Sequence, residues 1–379
     1  MIVGIDATNI RAGGGVTHLK ELLAHLNPEK HQIKKIILWG GRNLELFPEN
    51  KWIEKRRIKL KKEWFICLIY WRYFVLSKKV KNDCQILFNP GGSGLYDKVP
   101  YITMSQNMLP FEEKERKRFP LFQQLRYILL LLFQKLSFSR ASGILFISNY
   151  AAKSIRSRYR SVAKKPFTVA YHGVNSRFKC EPRVQMPIAE YNDKKPFRIL
   201  YVSIINYYKH QDKLIEAVKI LKENGMPIEL HLVGGANKSE LANLSNQLKK
   251  SEHFVKYWGY QNYENIQQHY QKANMFVFSS TCENMPSILV EAMSAGLPIL
   301  SSHYGPMPEI LKDAGDYMDP TNIDSIYNGL KKLILCPKRR EEIAKKANMY
   351  SQSYLWGKTA NETFDFIQKV YNEEVKNVI

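Results

Sequence analysis

The sequence predicts an α/β protein of two domains, each a parallel sheet with helices on both faces. Three observations carry that expectation. Short apolar, strand-like runs alternate with helical stretches in both halves of the chain, as strand–helix–strand units require. The segment Cys180–Pro196, CEPRVQMPIAEYNDKKP, has three prolines, mixed charge and no periodicity, and reads as the linker. A length of 379 residues, 45% of them hydrophobic and 24% charged, is ample for two globular domains and excludes a disordered chain.

In the first half the predicted strands are IVGID, KKIILWG, QILFNP, YITMS, GILFIS and FTVAY. The opening MIVGIDATNI lacks the basic start and long apolar middle of a signal peptide, so no export signal is expected. Next comes RAGGGVTHL, whose Gly13, Gly14 and Gly15 are not the spaced triplet of a dinucleotide fingerprint. The second strand ends Leu38-Trp39-Gly40-Gly41-Arg42, with no acid to take a ribose hydroxyl, which argues against a nicotinamide enzyme. Gly14 and Gly15 still let backbone amides approach a phosphate before a helix that Val16 begins, although a plain tight turn would look the same. Five scattered cysteines without a close pair indicate neither a disulfide framework nor a zinc knuckle, and fit a reducing cytoplasm. The longest apolar runs, WFICLIYW and YILLLLF (Tyr127–Phe133), fall short of the roughly 20 residues of a spanning helix, leaving core or interfacial helices.

Charge separates the two halves. Residues 1–190 carry 34 basic and 14 acidic side chains, a net +20, while residues 191–379 carry 23 and 21, a net +2. The excess peaks in Lys51–Lys81, with 11 basic and 2 acidic residues around the WFICLIYW run. Basic residues interleaved with aromatic and aliphatic ones compose a segment lying on an anionic bilayer, where each Lys or Arg near the surface adds about 1 kcal/mol. A solvated helix with a core face is the bland alternative, and a nucleic-acid surface the third. No recognisable nucleic-acid motif accompanies the charge, so no nucleic-acid partner is expected.

The second half offers strands FRILYVS, IELHLVGG, HFVKYWG, NMFVFSS and PILSS. Between the last two lies CENMPSILVEAMSAGLPIL, Cys282–Leu300. Pro286 suits the first turn of a helix, because its missing donor would be unpaired there anyway. The helix is expected from about Pro286 to Ala295, with Gly296 free to take the left-handed closing conformation and Pro298 barring continuation. Glu283 then sits in the loop before the helix and Glu291 more than one turn inside it. Such a loop lies at the carboxyl edge of a parallel sheet, where ligands collect. Amides at Ser287 and Ile288, with the positive helix end, would face an anion there, worth about 0.3–1 kcal/mol from the dipole alone. The pattern suits a phosphate flanked by two hydroxyl-binding carboxylates. Taken singly, a glutamate before a helix is often a cap and one in mid-helix half of a surface pair. Here Ile288, Leu289, Val290 and Met293 make the helix apolar on most sides, so Glu291 is expected to be buried and to need a partner.

The Glu283–Glu291 spacing with AMSAGLPI, followed by GPMPEIL (Gly305–Leu311) and AGDYMDP (Ala314–Pro320), resembles the retaining glycosyltransferases of family 4. YVSIINYYKHQDKLIEAV (Tyr201–Val218) and HLVGG (His231–Gly235) match that family's donor domain in order and spacing. The first half is similar only loosely, through the glycine loop, SQNMLPF and YHGVNSRF. The resemblance implies the GT-B fold: two Rossmann-like parallel-sheet domains facing each other across a cleft. It implies an acceptor-side domain at residues 1–185, a nucleotide-sugar domain at 196–357, and a closing helix at 358–379 that packs back on the first domain. It further implies that Glu291 holds the ribose hydroxyls and Glu283 lies by the transferred sugar. The amides after Glu283, at Met285, Ser287 and Ile288, would meet sugar and diphosphate, and Lys209 would neutralise the departing diphosphate. Gly14 and Gly15 would approach the same phosphates. Trp258-Gly259-Tyr260 would border the base, unless it is only a strand end.

Two departures stand out. The family usually places an arginine about five positions before its lysine, where this chain has Ile204, Ile205 and Asn206. Many members have a His-Asp pair where this chain has Gln106-Asn107, and amides cannot shuttle protons. His172 lies near the domain junction and reads more readily as a structural histidine. No Asp-x-Asp occurs and no His or acidic set has metal spacing, so metal-independent transfer without a cofactor is expected. The expected activity is transfer of a hexose from a UDP- or GDP-sugar to a lipid-linked or surface-glycan acceptor, with retention at the anomeric carbon. The protein would lie in the cytoplasm, peripheral on an anionic inner membrane face, as in lipopolysaccharide or capsule synthesis. A catalytically silent module of the same fold, binding a membrane or partner enzyme, is the alternative.

Overall fold

The computed structural model describes residues 1–10, 13–58 and 71–376. Its contacts divide the chain into two units, Met1–Gly173 with Leu355–Ile379, and Val174–Tyr354.

In the first unit, β1 (Ile2–Asp6), β2 (Lys35–Gly40), β3 (Ile53–Arg57), β4 (Ile86–Asn89), β5 (Tyr101–Ser105), β6 (Gly143–Phe146) and β7 (Phe167–Val169) form one sheet. Its order is β3-β2-β1-β4-β5-β6-β7 and every pairing is parallel. The central strands read as continuous apolar runs because helices cover both faces, and Val3, Ile5, Leu87, Ile102 and Leu145 are fully buried. Gly13 holds a φ of 66°, which glycine adopts without strain, and the helix Gly14–Ala24 follows directly. That helix therefore starts at Gly14, ahead of the expected Val16. The C-terminal helix Trp356–Lys376 also packs on this unit, burying Phe364, Phe366, Ile367 and Val370, with Thr359 Oγ1 donating to the Tyr171 carbonyl at 2.6 Å.

β3 has no counterpart among the predicted strands. Its sequence IEKRR is charged, which suits an edge strand, where charge discourages pairing with other chains. It also corrects the reading of Lys51–Lys81 as one membrane-lying segment. Lys55 pairs with Glu49, and Arg56 with Glu54 and Asp83. Further along, Leu76 and Val80 enter a core cluster with Trp39, Tyr101 and Ala141. Most of the WFICLIYW run, residues 64–70, lies outside the described residues.

In the second unit, β8 (Phe197–Val202), β9 (Ile228–Val233), β10 (Val255–Tyr257), β11 (Met275–Phe278), β12 (Ile299–Ser302) and β13 (Asp316–Met318) form a parallel sheet ordered β10-β9-β8-β11-β12-β13. β13 lies in AGDYMDP and is too short, at three residues, to announce itself by alternation. The expected linker Cys180–Pro196 belongs to this unit. The Cys180 amide donates to the Ser294 carbonyl at 3.0 Å, Arg183 to the Gln271 carbonyl at 2.9 Å, and Arg340 to Gln185 Oε1 at 3.1 Å. Prolines remove periodicity from a segment without detaching it, because side chains reaching in from elsewhere can satisfy its carbonyls.

Candidate functional site

In the second sheet the order of strands reverses between β8 and β11, the place where open parallel sheets bind ligands beyond their carboxyl ends. Two loops leave that point side by side. After β8 comes a 3₁₀ turn Tyr207–Lys209, then His210 at a φ of 51°, then the helix Gln211–Glu223. After β11 the chain passes Glu283 and enters the helix Ser287–Ser294. The expected helix limits thus hold to within one residue, and Gly296 closes it with a φ of 64°.

Lys209 and Glu283 meet across these loops as a hydrogen-bonded ion pair, their side chains only 6% and 14% exposed. The backbone of Lys209 is fixed from below: its carbonyl accepts from Tyr201 Oη at 2.9 Å and from Ser279 Oγ at 2.8 Å. Its ammonium lies 5.3 Å from the ring centres of both Tyr208 and Phe278, a cation–π setting that favours the charge. Next to it, His210 Nε2 is 3.2 Å from Thr281 Oγ1. Two oppositely charged groups this little exposed hold each other in place, and each is left costly if the other is removed.

Glu291 is 5% exposed on the inner side of the helix. Burial pushes its carboxyl up to about 7, opposed by a hydrogen bond from Tyr270 and the charge of Arg177. Tyr270 Oη donates to Glu291 Oε2 at 2.8 Å. The ring of Tyr270 is itself held, edge-on to Phe178 and stacked on Phe276. The Arg177 guanidinium carbon lies over Tyr263, 3.8 Å from its ring centre, and the Nε and one terminal nitrogen of Arg177 are buried without a hydrogen-bond partner. Carboxylate, phenol and guanidinium from three separate stretches thus surround one position.

The remaining predicted residues are spread more widely. Met285 is buried, and Ser287 and Ile288 form the first turn of the helix, so their amides belong to its positive end. Tyr260 is 80% exposed, its Cβ beside Gly235, whereas Trp258 is turned onto His231 and His269. Gly14 and Gly15 lie in the first unit as the opening residues of their helix. A Cβ on Gly14 would meet nothing within 4 Å, and one on Gly15 would lie 3.2 Å from Gln106 Oε1. Asn107 Oδ1 accepts from the Leu109 amide at 3.0 Å, a turn-forming role. His172 packs against His18 and Trp356 in the same unit, ring centres 4.5 and 5.6 Å away, and burial pulls it down to about 4. It is a neutral core group.

Sequence reasoning missed Tyr270 and Arg177. Tyr270 lies in a six-residue helix, Gln267–Lys272, with no motif around it. Arg177 lies within YHGVNSRF, in which the histidine is the more conspicuous chemical group. The buried, partner-seeking Glu291 was the one signal pointing to either.

A parallel sheet in each unit, with the charged loops of the second gathered at its switch point, defines a two-domain protein of the GT-B class. A family profile described as Glycosyl transferases group 1 matches residues 186–349, and one described as Glycosyltransferase Family 4 matches residues 12–178. The two matches follow one another along most of the chain, which belongs to the group 1, family 4 glycosyltransferases. An uncharacterized glycosyltransferase of Methanocaldococcus jannaschii is 29% identical over 228 residues, covering 56% of this chain and 57% of that one. The O-antigen chain mannosyltransferase B of Escherichia coli is 27% identical over 169 residues, 44% of each chain. The chain thus spans about half the length of these curated relatives. Among solved structures, the sucrose-phosphate synthase of Thermosynechococcus elongatus superposes with a TM-score of 0.75 at 14% identity, over 98% of this chain and 100% of that one. Anabaena HepE in complex with UDP superposes at 0.69 and 16% identity, over 97% and 99%. At such identities the superpositions establish the fold.

Proposed function

We propose that this protein transfers a hexose from a nucleoside diphosphate sugar to a lipid-linked or surface-glycan acceptor, with retention of anomeric configuration and without a metal ion. The observation that carries this reading is the Lys209–Glu283 pair at the switch point, next to a helix whose interior holds Glu291. In the reaction, the bond between the anomeric carbon and the diphosphate oxygen breaks while the acceptor oxygen bonds to that carbon, and the acceptor proton passes to the departing diphosphate. Lys209 and the amides of Ser287 and Ile288 neutralise the charge that develops on that diphosphate. Glu283 holds the sugar hydroxyls, and the Glu291 oxygen not engaged by Tyr270 accepts from the ribose. Gly14 and Gly15 bring amides toward the phosphates, and Tyr260 borders the base. Support for the donor class comes from HepE, solved with UDP, and for the acceptor class from the O-antigen mannosyltransferase. The net +20 of residues 1–190 supports work at an anionic membrane face in the cytoplasm.

The test is transfer from labelled UDP- and GDP-hexoses to lipid-linked acceptors, with a chelator present, comparing the native chain with Glu291→Ala. Turnover by the native chain that the substitution abolishes supports the reading. Undiminished turnover in Glu291→Ala removes it.

One observation favours a second reading, a catalytically silent module of the same fold. Where the family usually has an arginine, Ile204 is 50% exposed and Asn206 stands at the start of the 3₁₀ turn. Hydrolysis or transfer with any nucleotide sugar eliminates this alternative.

A further inference from the structure

The helix Leu121–Arg140 is inverted relative to an ordinary surface helix. Its buried side chains are Gln134, Ser137 and Phe138, while Leu121, Phe122, Leu125, Leu129 and Leu132 are between 54% and 82% exposed. Ile128 and Leu136 extend the same stripe at 38%. These positions recur at helical spacing and so form one continuous apolar face about 20 Å or more in length. Soluble surfaces rarely leave so large a contiguous patch bare.

Its surroundings indicate what covers it. Residues 121–165 contain nine basic side chains and no acid. Arg126, Lys135 and Arg140 stand exposed on the helix itself. The short helix Arg160–Ala163 packs against it, with the Lys135 ammonium over the Tyr159 ring, and brings exposed Arg158, Arg160 and Lys164 alongside. No described helix is long and apolar enough to cross a membrane. An apolar stripe bordered mainly by positive charge, with Asp97 beside Arg140 at one end, matches the interface of an anionic bilayer, where the stripe enters the acyl boundary and the basic groups reach headgroup phosphates. Two copies of this chain meeting through the stripe would instead press two predominantly basic borders together.

We infer that the face Leu121–Leu136 is the surface by which this protein docks on an anionic lipid bilayer, the helix lying in the membrane plane. This refines the membrane part of the functional reading and assigns it to a helix other than the Lys51–Lys81 segment. It is read without donor or acceptor, so its failure leaves the sugar-binding site standing, and failure of transfer leaves this surface standing.

The full chain is floated with vesicles of phosphatidylcholine alone and of phosphatidylcholine mixed with phosphatidylglycerol. Comparison variants are Leu125→Gln with Leu129→Gln, and a control on the other unit, Met349→Gln, also exposed. The expected result is binding to the anionic vesicles, weakened by salt, and reduced about tenfold or more by the paired leucine substitutions but not by the control. Unaltered melting temperatures show that the variants fold, since the altered side chains are on the surface. Equal flotation of native and leucine-substituted chains overturns the proposal. So does a concentration-dependent dimer that the leucine substitutions dissolve while flotation is unchanged.

Discussion

Tyr270 donates its hydroxyl proton to Glu291 at 2.8 Å, inside a unit where both side chains are withdrawn from water. The bond stabilises a carboxylate that burial otherwise disfavours, and leaves its other oxygen for a ligand. Burial nevertheless dominates and pushes Glu291 up to about 7 from an unfolded value near 4.5. An acid raised in this way costs stability once ionised. The cost is absent below about 4.5, grows as pH rises and is complete above about 7. Glu291→Gln, which keeps an acceptor for Tyr270, is therefore expected to raise the stability of the ligand-free protein at alkaline pH by an amount on the order of 2 kcal/mol. Denaturant unfolding at pH values on either side of 7 measures it. The same substitution weakens nucleotide binding, separating the demands of folding from those of the site.

Nucleoside diphosphate affinity should rise with pH through about 7, as Glu291 becomes the ionised acceptor that ribose hydroxyls require. Calorimetric titration across this range should find part of the slope missing in Glu291→Gln. A slope identical in the two chains would place the titrating group elsewhere.

Lys209→Ala should be harmful twice over. It leaves Glu283, 14% exposed, without its partner, at a cost of about 3 kcal/mol in folding. It also removes the charge facing the departing diphosphate, for which a loss of about 100-fold in turnover is expected. Glu283→Gln retains a hydrogen-bond acceptor for Lys209 and should fold better than Lys209→Ala while losing turnover. Unfolding curves and transfer rates on the two variants separate the two effects.

Gly14 distinguishes a phosphate loop from a plain turn. A Cβ there meets nothing within 4 Å, so Gly14→Val should fold nearly as well as the native chain. If the glycine amides approach the donor, the added side chain blocks that approach and turnover falls by about tenfold or more. Full activity in Gly14→Val would reduce the glycine run to a turn.

The buried histidines of the first unit give a different pH response. Burial holds His18 and His172 below their ordinary value, with His172 at about 4 against 6.5. Above about 6.5 both are neutral in folded and unfolded chains and cost nothing; as pH falls below that value the unfolded chain takes up protons that the folded one refuses and stability is lost, for His172 down to about 4. Melting temperature should fall over this interval, and His18→Leu should flatten the decline.

The parts legible in the sequence were those with strong punctuation. Pro286, Gly296 and Pro298 bracket one helix, and the apolar runs around it are strands buried on both faces, so Glu283 and Glu291 could be placed on their loop and helix, whereas Lys209 was singled out by the family resemblance. β3 escaped notice because an edge strand carries charge where a central one cannot, and its IEKRR was absorbed into a basic tract. Cys180–Pro196 looked detached because the groups that hold it, the backbone carbonyls of Ser294 and Gln271 and the side chain of Arg340, are remote in sequence. Tyr270 and Arg177 are likewise brought to Glu291 by the fold alone. The leucines of Leu121–Arg140 are visible as an apolar run, but only the fold turns them outward.

Titration calorimetry of UDP and of GDP into the native chain and Glu291→Ala bears most directly on the donor site. A nucleoside diphosphate should bind the native protein and lose about tenfold or more in affinity with Glu291→Ala, whose fold is verified by its melting curve. Binding of neither nucleotide, or equal affinity in both chains, would contradict the assignment of the second unit as the grip on an activated sugar.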